Sequence, residues 1–320
     1  MNTPTDLITR RDLLGGFGVF GAAALSGCAG SPALGSSAPR PSLAVTIDDF
    51  RIEDGPLLPG EQKLAAILAK LDQFNLKAAG FPAGKYIDGT PSARSLSLWS
   101  DRGHAIGCHT YSHNYYSGKD PAAFAADLDR ALPLVSRYPT SVPLFRFPFL
   151  AEGRTAGGRD AARAALHQRR LSNGHVTIDT SDWYVASRLV ERLRKEPGAD
   201  LAPYRSYYVA HILDRAAFYD QLARDVLGHT IPHTLLVHHN LTTALFLGDA
   251  LRELQKRGWR LIDASQAFAH EVYRQQPMIE PAGQSLVWQL AKARGGFDAR
   301  LRSPGEDGDY EKPRMDALGL

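Results

Sequence analysis

The stretch "SLAVTIDDF", residues 42–50, decides the fold. Leu43, Ala44 and Val45 make an apolar run of strand character, and the run ends on two adjacent carboxylates, Asp48 and Asp49. Buried carboxylates are costly unless something partners them, so this strand end requires a metal, an arginine or water.

Moving outward from it, apolar runs recur at 76–81, 104–108, 143–147, 174–178, 233–238 and 259–263, and segments of helical periodicity lie between them. Leu64, Ile67, Leu68 and Leu71 form one apolar helical stripe; Phe124, Leu128, Leu132 and Val135 form another. "KDPAAF" opens the second helix, with Asp120 as N-cap and Pro121 at the first helical position. Repeated strand–helix units predict parallel strands with helices outside them. Seven units fit a seven-stranded α/β barrel, complete or incomplete, spanning 42–276. The stretch 184–230 exceeds one crossover; its two helical patterns, near 186–195 and 208–227, read as an insertion on the barrel rim. Residues 277–320 read as a C-terminal extension packed outside the barrel.

The chain has 320 residues, 44% of them hydrophobic and 22% charged, with a formal net charge of +3. This mild basic excess comes without a Lys/Arg block, so nucleic acid is not expected as the partner. The first 28 residues differ from the rest. "TRRDLL" (Thr9 to Leu14) carries twin arginines of the kind found in Tat export signals. A Gly/Ala-rich apolar segment follows, shorter than the ~20 residues a spanning helix needs. It ends in "LSGC", residues 25–28, which resembles a lipobox. These features predict a cleavable signal, periplasmic or cell-envelope residence and a lipid anchor at Cys28; a plain signal peptide with a chance cysteine is the alternative. Residues 29–41, rich in Gly, Ser and Pro, read as a tether. Cys28 and Cys108 are the two cysteines, so a lipidated Cys28 leaves Cys108 without a disulfide partner.

The polar residues cluster at strand ends. Asp48 and Asp49 end the first strand; "HTYSH" (His109 to His113) ends the third; "RFPF" (Arg146 to Phe149) ends the fourth. "DTSDW" (Asp179 to Trp183) ends the fifth and "HHN" (His238 to Asn240) the sixth. In a β/α barrel the C-terminal strand ends converge on the face where active sites are built. His109 and His113, four apart, have chelate spacing, and two imidazoles plus one carboxylate make an open zinc-type site. Adjacent aspartates point apart, so one serves as a ligand and the other takes a proton. Arg146 is suited to hold that second carboxylate, and Asp182 to orient His238 as an acid. Cys108 is either a further ligand or, facing away from His109, a small buried hydrophobe. Tyr115, inside the same loop region, either stacks on a bound ligand or packs.

These motifs, in this order across about 42–265, resemble the polysaccharide deacetylase family of metal-dependent carbohydrate esterases. The resemblance implies a distorted seven-stranded parallel (β/α) barrel with Asp48 as catalytic base. It implies Asp49, His109 and His113 as ligands of one divalent metal, Zn2+ before Co2+ or Ni2+. Arg146 would orient Asp48, His238 would be the general acid, Asp182 would orient it, and Trp183 would line the acetyl pocket. The expected substrate is an N-acetylated glycan, cleaved to release acetate. Another carbon–nitrogen hydrolase or acetyl esterase on this scaffold is one alternative, and an inactive glycan-binding barrel is another. One departure stands out: the family's third motif usually ends Pro-Tyr-Gly, whereas Pro148 is followed here by Phe149-Leu150. The Phe149 N–H can still serve as an oxyanion donor.

Overall fold

The computed structural model describes residues 39–320, which form one compact unit. The twin arginines, Cys28 and most of the tether lie outside the described residues.

Among the described residues there are nine strands: β1 (Ser42–Asp49), β2 (Ala79–Pro82), β3 (Ala105–Cys108), β4 (Ser141–Phe145), β5 (Ala151–Gly153), β6 (Ser172–Asn173), β7 (Pro232–His238), β8 (Arg260–Leu261) and β9 (Ala282–Gly283). Seven of them build one parallel sheet in the order β6-β4-β3-β2-β1-β7, with β8 also paired to β1. β5 and β9 form a separate antiparallel pair. β1 lies at the centre, buried from Ser42 to Asp48 because the curled sheet covers one face and helices the other.

The fifth expected strand, 174–178, does not form as such. The regular pairing to β4 falls earlier, at Ser172–Asn173. The chain then crosses the gap: Gly174 N–H donates to Phe145 C=O at 2.6 Å, and Ile178 bridges to Leu235 of β7. One short segment serves two strands on opposite sides of the opening, so it cannot run in register with either. This crossing curls the sheet into the distorted barrel expected from the sequence.

Side chains fill the interior. The Arg146 guanidinium lies 4.0 Å from the centre of the Phe81 ring. Room for that ring comes from two glycines: a Cβ at Gly107 would stand 2.5 Å from it, and one at Gly174 2.7 Å. Outside, the helix Gly60–Gln73 buries Leu64, Ile67, Leu68 and Leu71, and Asp120 caps the helix Pro121–Ser136 by accepting from the Ala123 N–H at 2.9 Å. The expected rim insertion is part of this outer layer. Helix Ala202–Leu227 packs against both Leu241–Lys256 and Leu286–Arg294, and its exposed residues Pro203, Ser206, Ala210, Asp214, Ala217, Gln221 and Asp225 recur every three or four positions along one solvent face.

Candidate active site

All seven sheet strands run parallel, so β1, β3, β4 and β7 deliver their last residues to one face. β1 ends abruptly: Asp49 and Phe50 take left-handed backbone conformations, φ 74° and 56°. Such residues cost about 1–3 kcal/mol each and persist only where packing holds them. Here Phe50 is fully buried between Trp99 (ring centres 5.1 Å) and His239 (5.7 Å). The turn carries Asp49 out of strand alternation and towards the histidines.

His109 and His113 sit on a tight loop, not a helical turn, with Thr110 and His113 at φ 60° and 53°. Asp127, from the next helix, pins the loop by accepting from Ser112 N–H (3.0 Å) and Ser112 Oγ–H (2.7 Å). His109 Nδ1 lies 2.7 Å from Arg146 C=O, which can only accept, so Nδ1 carries the proton and Nε2 presents a lone pair. Burial pushes the His109 imidazole down to about 3, keeping it neutral. Its Nε2 lies 3.6 Å from Asp49 Oδ1 and 3.8 Å from Asp48 Oδ2. His113 Nε2 lies 3.0 Å from Asp49 Oδ1, yet that buried oxygen makes no hydrogen bond of acceptable geometry. One donor atom each from Asp49, His109 and His113 fall within 4.8 Å of one another. An orphaned buried carboxylate oxygen facing an imidazole lone pair is a donor set that fits a divalent metal.

Asp48, 2% exposed, is held from the other side. Arg146 Nη1 donates to its Oδ1 at 2.8 Å and to Thr46 Oγ1 at 2.8 Å, while Nε donates to Gly174 C=O at 2.8 Å. Burial raises the Asp48 carboxyl; Arg146 and His238 oppose it, and the result is about 6.

His238, at the end of β7, faces a wholly buried carboxylate. Its Nδ1–H donates to Asp182 Oδ1 at 2.7 Å, and its backbone N–H donates to Asp182 Oδ2 at 2.9 Å. Asn240 Nδ2 (2.6 Å) and Thr243 Oγ1 (3.3 Å) also donate to Oδ2. Asp182 is the first residue of helix Asp182–Lys195, where the helix dipole favours an anion. Burial alone would lower the His238 imidazolium; Asp182 and then the two aspartates of β1 outweigh it and raise it to about 10.

The rim is aromatic. Phe149, Tyr115 and Trp183 are 60%, 51% and 44% exposed. Phe149 ring stands 5.0 Å from His113 and 6.0 Å from Tyr115, so these three share one side of the mouth. Trp183 follows Asp182 in the chain. Cys108 is a buried free thiol pushed up to about 12 by burial, a packed hydrophobe. His239 donates from Nδ1 to Arg51 C=O and stays outside the site. His233 is fully buried at the start of β7 against Thr177 and Asp220, away from the site. Sequence reasoning missed the supporting residues Thr46, Asp127, Asn240 and Thr243, whose residue types carry no signal of their own.

Residues 35–168 match the family model "Polysaccharide deacetylase". No curated protein matches the chain. Among solved structures, a CE4 family pseudoenzyme from Bacillus anthracis is similar at 16% identity and a TM-score of 0.51, covering 72% of this chain and 66% of its own. A mutant of that protein with restored enzymatic activity aligns at 17% identity and a TM-score of 0.51, over 71% and 67%. A polysaccharide deacetylase from Bacillus cereus aligns at 17% identity and a TM-score of 0.50, over 70% and 92%. This chain thus spans about two thirds of the first two relatives' length. At such identity the likeness is one of fold, and it embraces both a polysaccharide deacetylase and a pseudoenzyme.

Proposed function

We propose that this chain, a member of the polysaccharide deacetylase family, is a metal-dependent hydrolase that removes acetyl groups from the amides of an N-acetylated glycan. One observation carries the reading. A three-donor centre lies beside a buried carboxylate poised as base, and the neighbouring strand sets an imidazolium poised as acid in register with that carboxylate. An inactive glycan-binding barrel has no use for that pairing.

Asp49, His109 and His113 would hold the ion, with zinc the first choice for two imidazoles and one carboxylate. A divalent metal bound there supplies a Lewis acid for the acetyl carbonyl and acidifies water. The chain's own residues do the rest. Asp48 takes the proton from the attacking water at Oδ2, because Oδ1 is engaged by Arg146. The Phe149 N–H, on the residue whose ring stands 5.0 Å from that of His113, stabilises the negative charge developing on the carbonyl oxygen. His238, with Nδ1–H bound to Asp182, delivers the Nε2 proton to the departing amine. A base raised to about 6 and an acid raised to about 10 are both in their working forms between those values. A charged acid favours amide over ester cleavage, since a sugar amine leaves only once protonated. Tyr115, Phe149 and Trp183 offer ring faces to the sugars.

The reading is tested by acetate release from a panel of N-acetylated glycans, with the protein first stripped by chelator and then reloaded with zinc, cobalt or nickel. Metal-dependent release supports it. No release from any glycan with any metal rejects it. For the N-terminus we propose export followed by lipid attachment at Cys28 and residence in the cell envelope. Intact-mass measurement showing an unmodified mature chain that starts elsewhere would reject this.

A further inference from the structure

Residues 277–320 lie beyond the sheet, yet they return to both arms of the site. β9 pairs with β5, and Gln284 N–H donates to Leu150 C=O at 2.9 Å, directly behind Phe149. On the other arm, helix Gly308–Ala317 sets Glu311 against His211, with Oε1 3.4 Å from Nδ1. Tyr207 O–H also donates to Glu311. Burial pushes the Glu311 carboxyl up, but the contacts with His211 and Tyr207 win and hold it at about 2, so it stays charged. The opposite ring atom, His211 Nε2, accepts the backbone N–H of Ser181 at 3.0 Å. Ser181 Oγ–H donates to Asp307 C=O at 3.3 Å. Ser181 immediately precedes Asp182.

His211, Glu306 and Glu311 bring donor atoms within 4.8 Å of one another, and Glu306 Oε2 is buried without a partner. A cation is nevertheless a poor fit. Because Ser181 N–H occupies the lone pair of Nε2, the neutral ring must carry its proton on Nδ1, the atom facing Glu311. A cation at Nδ1 would require a ring stripped of both protons. Glu306 Oε1 already pairs with Arg215 Nη1 at 2.9 Å. The directed hydrogen bonds explain the arrangement better: carboxylate to imidazole to backbone amide, ending one residue before Asp182.

We propose that His211, locked by Glu311 of the C-terminal helix, is a positioning residue that sets Ser181–Asp182 and, through Asp182, the proton-donating His238. The segment 277–320 is thereby part of the active-site scaffold. This rests on the role of His238 argued above.

The test uses the full chain and two substitutions. His211→Gln keeps an acceptor near the position of Nε2; His211→Leu removes it at similar volume. The first readout is the downfield proton resonance of His238 Nδ1–H on Asp182, assigned by its loss in His238→Ala. The second is turnover of an N-acetyl amide against an activated aryl acetate. His211→Leu should broaden or shift the resonance and lower amide kcat at least about tenfold, the scale of a sub-ångström misplacement. KM and ester turnover should stay near wild type, and His211→Gln should restore most of the loss. An unperturbed resonance with wild-type rates in His211→Leu overturns the proposal, as does an equal fall on both substrates. Should His211→Leu fail to fold by circular dichroism, Glu311→Gln replaces it and must show the same selective defect. If the wild type releases no acetate at all, the functional reading fails, and the resonance comparison still decides the positioning role.

Discussion

Asp182 is wholly buried, whereas the His238 ring it holds at 2.7 Å is about one-fifth exposed, so the pair runs from the interior out to the mouth of the barrel. The carboxylate accepts from His238 Nδ1–H, His238 N–H, Asn240 and Thr243. Ionised carboxylates are stabilised by this many donors, and Asp182 accordingly lies below its ordinary range despite its burial.

Asp182→Asn therefore lowers the pKa of His238. The wild-type imidazolium is raised to about 10, against ~6.5 in an unfolded chain. The basic limb of amide kcat/KM moves to lower pH in the variant, and the pH–rate profile reads this directly. The stability sign follows from the same shift. A raised imidazole stabilises the fold fully below ~6.5, and that contribution disappears as pH climbs towards 10. Urea unfolding across that window should show a steeper loss in wild type than in Asp182→Asn. Equal slopes would reject the coupling.

The two aspartates of β1 separate by metal content. Asp48→Asn retains the Arg146 contact through its amide oxygen but cannot take a proton, so metal stays and turnover is lost. Asp49→Asn weakens one of three donors, so metal is lost first, as in His109→Ala. Elemental analysis before and after dialysis distinguishes them. Equal metal loss in both variants would show that the base and ligand assignments are wrong.

Much of this site was legible because its residues are local to strand ends. The adjacent aspartates, the His-x-x-x-His spacing and the Arg-Phe-Pro run each fall within five residues of an apolar run. What was not legible comes from contacts across long separations. Thr46 meets Arg146, Asn240 meets Asp182, and Glu311 meets His211 only once the sheet has curled. No periodicity marks a threonine or an asparagine as a buttress. The segment 174–178 has strand composition, but its pairing is divided between Phe145 and Leu235, and a single-segment pattern carries no sign of two partners.

Arg146 is fully buried and neutralises a buried carboxylate, so its removal leaves an uncompensated charge. Arg146→Met should destabilise the fold by roughly 3–5 kcal/mol, the usual cost of breaking such a pair from one side. It should also raise Asp48 further, moving the acidic limb of the pH–rate profile upward. Arg146→Lys will not rescue it, because one ammonium cannot reach Asp48, Thr46 and the Gly174 carbonyl in the planar arrangement that the guanidinium uses. Urea unfolding with a wild-type midpoint in either variant would contradict this.

Phe149 combines two roles that one substitution can separate. Its backbone N–H is the proposed donor to the developing oxyanion, while its exposed ring stands beside Tyr115 and His113. Its φ of 56° is left-handed, a conformation that costs a side-chain-bearing residue about 1–2 kcal/mol and glycine almost nothing. Phe149→Gly therefore keeps the loop and the N–H and deletes only the ring. The relief of strain equals or exceeds the cost of glycine's greater freedom in the unfolded chain, about 0.5–1 kcal/mol, so stability should hold or rise by about 1 kcal/mol. If the ring stacks on sugar, KM for a polymeric glycan should rise about 2–10-fold, the range of one aromatic contact worth ~0.5–1.5 kcal/mol. Turnover at saturation should hold, and a small activated acetate, which lacks the sugar, should be unaffected. A fall in kcat on both substrates with unchanged KM would place the ring in the chemistry and remove it from substrate binding.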